Sequence, residues 1–480
     1  MKVAQHYIDG AWVPGSGTTG TALDPATGEP VSEFAEGTAM DAQAAMAAAT
    51  RAFHVTSWKH DAKLRSDVLL SAATRLEERR EQVAHLLVAH NGKMLREAMG
   101  EVAAAISELR YYAGLARNLF GRIIEIEPGC FSALHREAAG VAVIIVPWNA
   151  PVTLLVRSLG PALAAGCTVV VKPAHQTALV SNMVLDTVLS DPRLAPGIVN
   201  TVTESGAEVS RALCESPEVA VISFTGSTAV GKAIARATAG NLTRLSLELG
   251  GKAAAVVFDD CDLQQTVRGV LAGGLILSGQ QCTALARVIV HESLFDRFAA
   301  ELSAAMHSVK PGPGMDAASG MGPLIDRANR DRIKALVEGV DRPADVLVRG
   351  EVPGGSLAQG AFITPSLIAV EDLASPLVQN ELFGPVMVIE RFNDEDDAVA
   401  RANATRYGLA ASVWSRDTGG KARRVANRLR SGSVWLNAHN KLFAEIETGG
   451  ERDSGYGRLH GAEGMNDFLV TKHVYQSTTV

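Results

Sequence analysis

VAVIIVPWNA at 141–150, followed by TVVVKPA at 168–174, decides the fold. Each is a short unbroken run of Val and Ile with a proline at its carboxyl end, the pattern of a strand covered on both faces. Between them GPALAAGC (160–167) reads as a helix of small residues. Toward the carboxyl end the alternation continues with a helix near 177–190, the strand IVNTVT, a helix near 206–214, the strand VAVISF, then GSTAVGKAIARATA as turn and helix. It predicts a parallel, doubly wound α/β sheet. After LSLELGG a second series (AAAVVF, VRGVLAGGLI, ARVIVH, DRFAAELSAAM, AVARANAT, SGSVWLN) predicts a second α/β unit of similar size. Toward the amino end, residues 38 to 118 repeat apolar positions at three and four and predict successive helices.

Composition narrows the function. At 480 residues, 47% hydrophobic and 20% charged, the chain collapses around sizeable cores. Its net charge of −7 supplies no basic field for a polyanion, which argues against nucleic acid. MKVAQHYIDGAWVPG lacks the continuous apolar centre of a secretory signal, and no apolar run nears the roughly 18 residues of a membrane span. A cytoplasmic protein with no membrane partner is expected. Five scattered cysteines, Cys130, Cys167, Cys214, Cys261 and Cys282, never stand in a CxxC spacing, so neither a disulfide framework nor a metal site is expected.

Chemistry gathers where strands end. FTGSTAVG (224–231) sets Gly226 and Ser227 between an apolar strand and a helix, where backbone amides can hold a phosphate. Read literally, GSTAVGKA is also a phosphate loop of an ATP-dependent phosphotransferase, with AAAVVFDD downstream as the metal-holding strand. Ala233 stands where that motif needs a hydroxyl, which disfavours it. GQQC (279–282) makes Cys282 the nucleophile candidate, at a loop start where aligned amides would acidify a thiol. LELGGK (247–252) ends a strand with Glu248 beside two glycines, a placement suited to a base. PWN puts Trp148 and Asn149 at the ligand-binding edge of the sheet, where an amide can donate to a developing oxyanion, and Lys172 ends the neighbouring strand.

In this order the pieces resemble the aldehyde dehydrogenase superfamily: PWN, KPA (172–174), FTGSTAVG, LELGGK, GQQC and ELFGPV (381–386), with weaker echoes in YIDGAWV, YGLAASVWS (407–415) and SGYGRLHG (454–461). The resemblance covers nearly the whole chain. It implies a Rossmann-type cofactor domain (1–118 and 137–249), an α/β catalytic domain (250–448) and a small β extension for assembly (119–136 and 464–480), pairing subunits into a homodimer or homotetramer. It implies that Cys282 attacks an aldehyde as thiolate, that Asn149 and the Cys282 backbone N–H hold the oxyanion, and that Glu248 activates the water that hydrolyses the thioester. With Glu248 present, a free acid is the implied product rather than a coenzyme A ester. NAD or NADP is the implied cofactor. By the same match Lys172 and Glu381 contact its ribose hydroxyls, Ser227 and Gly226 its pyrophosphate, Trp148 and Gly206 its adenosine half, and Phe383 its nicotinamide side.

The departures concern selectivity. His175 stands where NAD-preferring members carry Glu, which admits a 2′-phosphate, while Glu204 in VTESG replaces a common Gly and pushes the other way. Around the expected substrate tunnel, which also includes Leu154, an aromatic, a Trp and a Lys give way to Ala150, Arg157 and Ser158, and the Phe of the usual PFGG to Thr448. PWNAPV with a following Arg is similar to aromatic-aldehyde members such as vanillin and salicylaldehyde dehydrogenases, and an Arg here also occurs in succinic semialdehyde dehydrogenases. A bulky, aromatic or acidic aldehyde is expected. A catalytically silent binding protein of the same fold is the alternative, against which the intact Cys282, Asn149 and Glu248 argue.

Overall fold

A computed structural model describes residues 1–340 and 345–477; residues 478–480 of the expected assembly segment lie outside the described residues. The runs Val141–Ile145, Thr168–Lys172, Val199–Thr201, Val219–Thr225 and Arg244–Glu248 form the parallel centre of an eight-stranded sheet. Its edges are antiparallel: Gly455–Tyr456 on one side, His6–Ile8 and Ala11–Val13 on the other. The sheet is therefore mixed, with a parallel core. Helices Ala39–Val55, Ala62–Glu78, Arg80–Asn91 and Leu95–Ala116 supply the amino-terminal layer. Val68, Leu69, Leu109, Ile144, Leu155 and Val171 meet in one core between helices and sheet, each almost fully buried.

Strand register aligns the chemistry. Ile145 pairs with Lys172 and with Phe224, and Thr225 pairs with Glu248, so PWN, Lys172, the Gly226 turn and Glu248 leave the sheet along one carboxyl-terminal edge. Pro147 stops the first strand and Pro151 occupies the first turn of the helix Pro151–Ala165, where its missing N–H costs nothing. Gly166, at φ +99, ends that helix.

The second unit is a seven-stranded sheet in the order Val346–Val348, Ser366–Ala369, Val386–Phe392, Leu285–His291, Ala253–Val257, Ala410–Trp414, Ser433–Leu436. AAAVVFDD thus belongs to a different sheet from GSTAVGKA, and Lys232 is paired with Asp453 at 2.8 Å. Among the described residues no phosphate loop with its metal strand exists, because those partners must share one sheet. A third sheet joins Arg122–Glu127, Cys130–Ala138 and Leu469–Ser477, leaving Ile123, Ile126 and Tyr475 exposed. Among the described residues no helix is long and apolar enough to cross a membrane.

Candidate active site

Asn149, Ala150, Leu154, Arg157, Glu248, Cys282 and Thr448 all line one cavity of about 450 Å³ between the two large sheets. They come from four separate stretches of chain. Cys282 follows a tight approach: Leu277, Ser278 and Gly279 all hold positive φ (48°, 57° and 74°), and a Cβ on Gly279 would lie 2.3 Å from the Gly384 carbonyl. The half-buried thiol is not acidified, contrary to the sequence expectation. Burial pushes it up to about 11, against the pull of Arg157 and of the Thr283 backbone N–H. Only one amide favours the thiolate here, because Cys282 enters a strand rather than a helix.

Asn149 is held from three sides. Its side-chain amide donates to the Gln280 carbonyl at 2.9 Å, which ties it to the cysteine loop and leaves its second N–H free for another acceptor. Its backbone carbonyl accepts from Lys93 Nζ at 2.8 Å and from Asn91 Nδ2 at 3.3 Å. Lys93 is itself paired in the interior with Glu101, whose other oxygen accepts from the Val152 N–H at 2.8 Å, at the start of the helix that follows Asn149.

Glu248 is 4% exposed and takes the Gly450 backbone N–H, while its Oε1 has no partner. Burial raises it to about 7, opposed by Arg157 and Arg458. Arg157 is buried too, donates to Thr225 Oγ1 at 3.2 Å and leaves Nε unpaired. Its charge acts on both Cys282 and Glu248, so the guanidinium stands at the reacting end of the cavity. Ser158, in place of a lysine, accepts from the Ser223 hydroxyl at 3.0 Å.

The remaining predicted residues lie along the sheet edge. Lys172 is mostly buried, and its pKa falls through desolvation despite Glu204 and Glu36 nearby. Gly206 has open space where a Cβ would project, and Ser227 caps the helix Thr228–Thr238 through the Val230 N–H at 3.3 Å, leaving a helix N-terminus beside the Gly226 turn. Glu381 accepts from the Gly251 N–H at 3.0 Å, close enough to Gly250 that a Cβ there would collide. An exposed helix start, a gap free of side chains and a buried cation at one edge fit a dinucleotide.

Trp148 and Phe383 stack edge to face with centroids 5.7 Å apart, so the two aromatic rings named for the cofactor lie together. His175 packs on Phe34 at 5.3 Å, and burial together with Lys172 lowers its pKa, which favours the neutral ring. Glu204 is buried, its carboxylate spent on the backbone N–H groups of Val209 and Ser210 at 2.7 and 2.8 Å.

Sequence reading missed Lys93, Glu101, Glu108 and His460. Glu97, Glu101 and Glu108 recur at four and seven on the helix Leu95–Ala116, so all three share one face and line the cavity. That spacing was the available signal.

The family model described as Aldehyde dehydrogenase family matches residues 12–474. A betaine aldehyde dehydrogenase of Bacillus subtilis is 36% identical, covering 98% of this chain and 97% of the relative. A phenylacetaldehyde dehydrogenase of Pseudomonas fluorescens is 35% identical, covering 98% and 95%. A crystal structure of a betaine aldehyde dehydrogenase mutant from Staphylococcus aureus in complex with NAD+ is 35% identical, with a TM-score of 0.96 over 99% of this chain and 98% of that one.

Proposed function

Because the chain belongs to the aldehyde dehydrogenase family, whose members use NAD or NADP, we propose that it oxidises an aldehyde to a free carboxylic acid through a covalent Cys282 adduct. The observation that carries this reading is the single cavity walled by Cys282, Asn149 and Glu248. The Cys282 thiolate adds to the carbonyl carbon, forming a C–S bond and an oxyanion, and the free N–H of Asn149 together with the Cys282 backbone N–H stabilises that charge. When bound, the dinucleotide supplies the two-electron acceptor that turns this adduct into a thioester. Glu248, with a pKa near neutrality, then takes a proton from water; the hydroxide adds to the thioester, the C–S bond breaks, and the acid leaves with Cys282 restored as thiolate. Arg157 is the charge that favours both ionised groups, in a pocket whose burial disfavours them.

Lys172 and Glu381 would hold ribose hydroxyls, the Gly226–Ser227 turn the pyrophosphate, Gly206 the open adenosine path, and Phe383 with Trp148 the nicotinamide end. With His175 neutral and no carboxylate at its position, both NAD and NADP are accepted.

The substrate is a bulky, aromatic aldehyde. Leu154, Ile276, Leu442, Phe443 and Trp435 give the cavity an apolar wall, and Ala150 and Thr448 leave room where larger groups are common. The unpaired Nε of Arg157 supports an acidic semialdehyde as the second reading. The protein works in the cytoplasm, where its five free thiols stay reduced, and assembles as a homodimer or homotetramer through the sheet of Arg122–Ala138 and Leu469–Ser477, whose apolar side chains face outward.

The test is absorbance of reduced nicotinamide with NAD+ or NADP+ and a panel of benzaldehydes, succinic semialdehyde, betaine aldehyde and short aliphatic aldehydes, beside Cys282→Ala. Cys-dependent turnover led by benzaldehydes supports the reading, and a silent wild type overturns it. Arg157→Ala decides the second reading: an unchanged preference between acidic and neutral aldehydes removes the semialdehyde.

A further inference from the structure

The turn that carries Cys282 is gripped by the chain that follows the edge strand Ser433–Leu436 of the second sheet. That strand ends in Asn437, which closes a reciprocal pair with Ser415: its Nδ2 donates to the Ser415 carbonyl at 2.8 Å and its Oδ1 accepts the Ser415 N–H at 3.0 Å. From this anchor the chain bends back over the cysteine with Asn437 and Asn440 at φ 51° and 55°, a left-handed backbone that Asn tolerates better than most residues. The bend lays two side chains on the residues flanking Cys282. His439 Nε2 donates to the Thr283 carbonyl at 2.7 Å, and Asn440 Oδ1 accepts from the Thr283 hydroxyl at 2.7 Å and from Gln281 Nε2 at 3.0 Å. Gln281 Nε2 also reaches Thr283 Oγ1 at 3.0 Å, and the Gln281 carbonyl accepts from the Ala284 N–H at 2.9 Å, so the turn is closed across Cys282 by side chains and by backbone.

None of these bonds touches the reacting atoms, yet they fix the peptides that do. The peptide before Cys282 carries the N–H of the oxyanion site, and the peptide after it carries the Thr283 N–H, the one amide that favours the thiolate. A carbonyl only accepts, so His439 holds its proton on Nε2, and burial keeps its pKa down at about 4. The ring, edge to face with Trp435 at 4.8 Å, is therefore a neutral donor that does not titrate alongside the thiol. Left-handed backbone at two non-glycine positions is unfavourable and persists where surrounding bonds hold it, often beside a reactive group.

We propose that His439 and Asn440 are positioning residues for Cys282, which clamp Gln281 and Thr283 and so aim the two peptide N–H groups beside the nucleophile. This role rests on the reading of Cys282 as the nucleophile and deepens it: a segment 157 residues further along the chain sets how the thiol reacts.

The experiment follows Cys282 by its own reactivity, without an aldehyde. Full-length wild type, Thr283→Val, Asn440→Ala and the double variant are alkylated with iodoacetamide over a range of pH, and labelling is read at each cysteine by mass spectrometry. Arg157, Glu248 and Glu381, the charges that also act on the thiol, are the same in every variant. Cys167 and Cys214, buried in the first unit, stay unlabelled in a native sample and report folding. In each single variant the pH midpoint at Cys282 is expected to move up by about 0.5 to 1, with alkylation at neutral pH slowed only about 2- to 3-fold because a less acidic thiol is also a better nucleophile. The double variant should fall short of the sum, since both changes remove one shared link. Thr283→Ser keeps the hydroxyl and should recover most of the wild-type profile. In stopped-flow turnover the burst rate should fall with the midpoint shift while the cofactor KM holds. Asn440 is half-buried on the cavity wall, so its variant keeps the test decisive should Thr283→Val fold poorly. A midpoint unchanged or lowered in a folded single variant overturns the clamp, as does a Thr283→Ser as impaired as Thr283→Val. Absence of Cys282-dependent turnover with any aldehyde overturns the catalytic reading instead.

Discussion

The sheet edge and the aldehyde cavity lie side by side and are built in opposite ways. The edge takes Lys172, Gly226 and Ser227 from strand ends whose register aligns them, so backbone pairing alone brings them together. The cavity takes Glu101 and Glu108 from an amino-terminal helix, Asn149 and Arg157 from the first crossover, Cys282 from the second unit, and Thr448 and His460 from near the end of the chain. Only tertiary packing unites those. The edge sets Gly226 and Ser227 beside backbone N–H donors, with Lys172 mostly buried next to them; the cavity holds Glu248, Arg157 and Glu108 buried, each dependent on a named partner or left with an open atom. Substitutions on the edge should therefore act locally, while substitutions in the cavity should change reactivity and stability together.

The largest effect expected is at the reacting pair. Cys282→Ala should lower turnover by at least roughly four orders of magnitude in steady-state assays. Glu248→Gln should slow steady turnover by about 10²–10⁴-fold while leaving a burst of one reduced cofactor per subunit, since the adduct forms before the base is needed. The wild-type deacylation rate should rise with pH through about 7. Stability should move the other way. The folded-state pKa of Glu248 lies above its ordinary 4.5, so between those values the native protein binds more protons than the unfolded chain and loses stability as pH rises. Glu248→Gln, which does not titrate, should therefore gain on wild type from pH 4.5 to 7, levelling off at about 3–4 kcal/mol. Denaturant titrations at several pH values check it, and a difference that stays flat would break the contrast between cavity and edge.

Next is the clamp on Asn149. Asn149→Ala should cost about 10²–10³-fold in kcat by removing an oxyanion donor. Lys93→Met never touches the cavity, yet it leaves Glu101 buried without its cation and frees the Asn149 carbonyl. A loss of about 3–5 kcal/mol of stability is expected with a fall in kcat, and Lys93→Arg should restore part of both. Unfolding transitions and the split between KM and kcat distinguish a displaced oxyanion donor from general loosening.

The contrast also explains what the sequence made legible. Strand ends carry their chemistry within a few residues of a Val-rich run, so Asn149, Lys172, Glu248 and the Gly226 turn could be named from local pattern, and their order along the chain carried the resemblance. Burial has no such local mark. GQQC located Cys282, yet the thiol's upward shift arises from side chains far away in sequence, and the neutrality of His175 from Phe34 and Lys172. Glu108 and His460 stand 352 residues apart, and only the fold makes them a pair.

The smallest effect is expected on the edge and tests its independence. His175 presents a ring kept toward neutrality against Phe34, and Glu204 is already committed to the Val209 and Ser210 N–H groups. Glu36, whose charge reaches both Lys172 and His175, accepts from the Ser205 backbone N–H at 2.9 Å. His175→Glu adds a carboxylate beside Lys172, favouring a ribose 2′-hydroxyl and repelling a phosphate there. The ratio of kcat/KM for NAD to that for NADP should rise about tenfold, at roughly 1.4 kcal/mol of discrimination, with the aldehyde KM unchanged. A change in aldehyde preference instead would show that cavity and edge are coupled through more than the strand register they share.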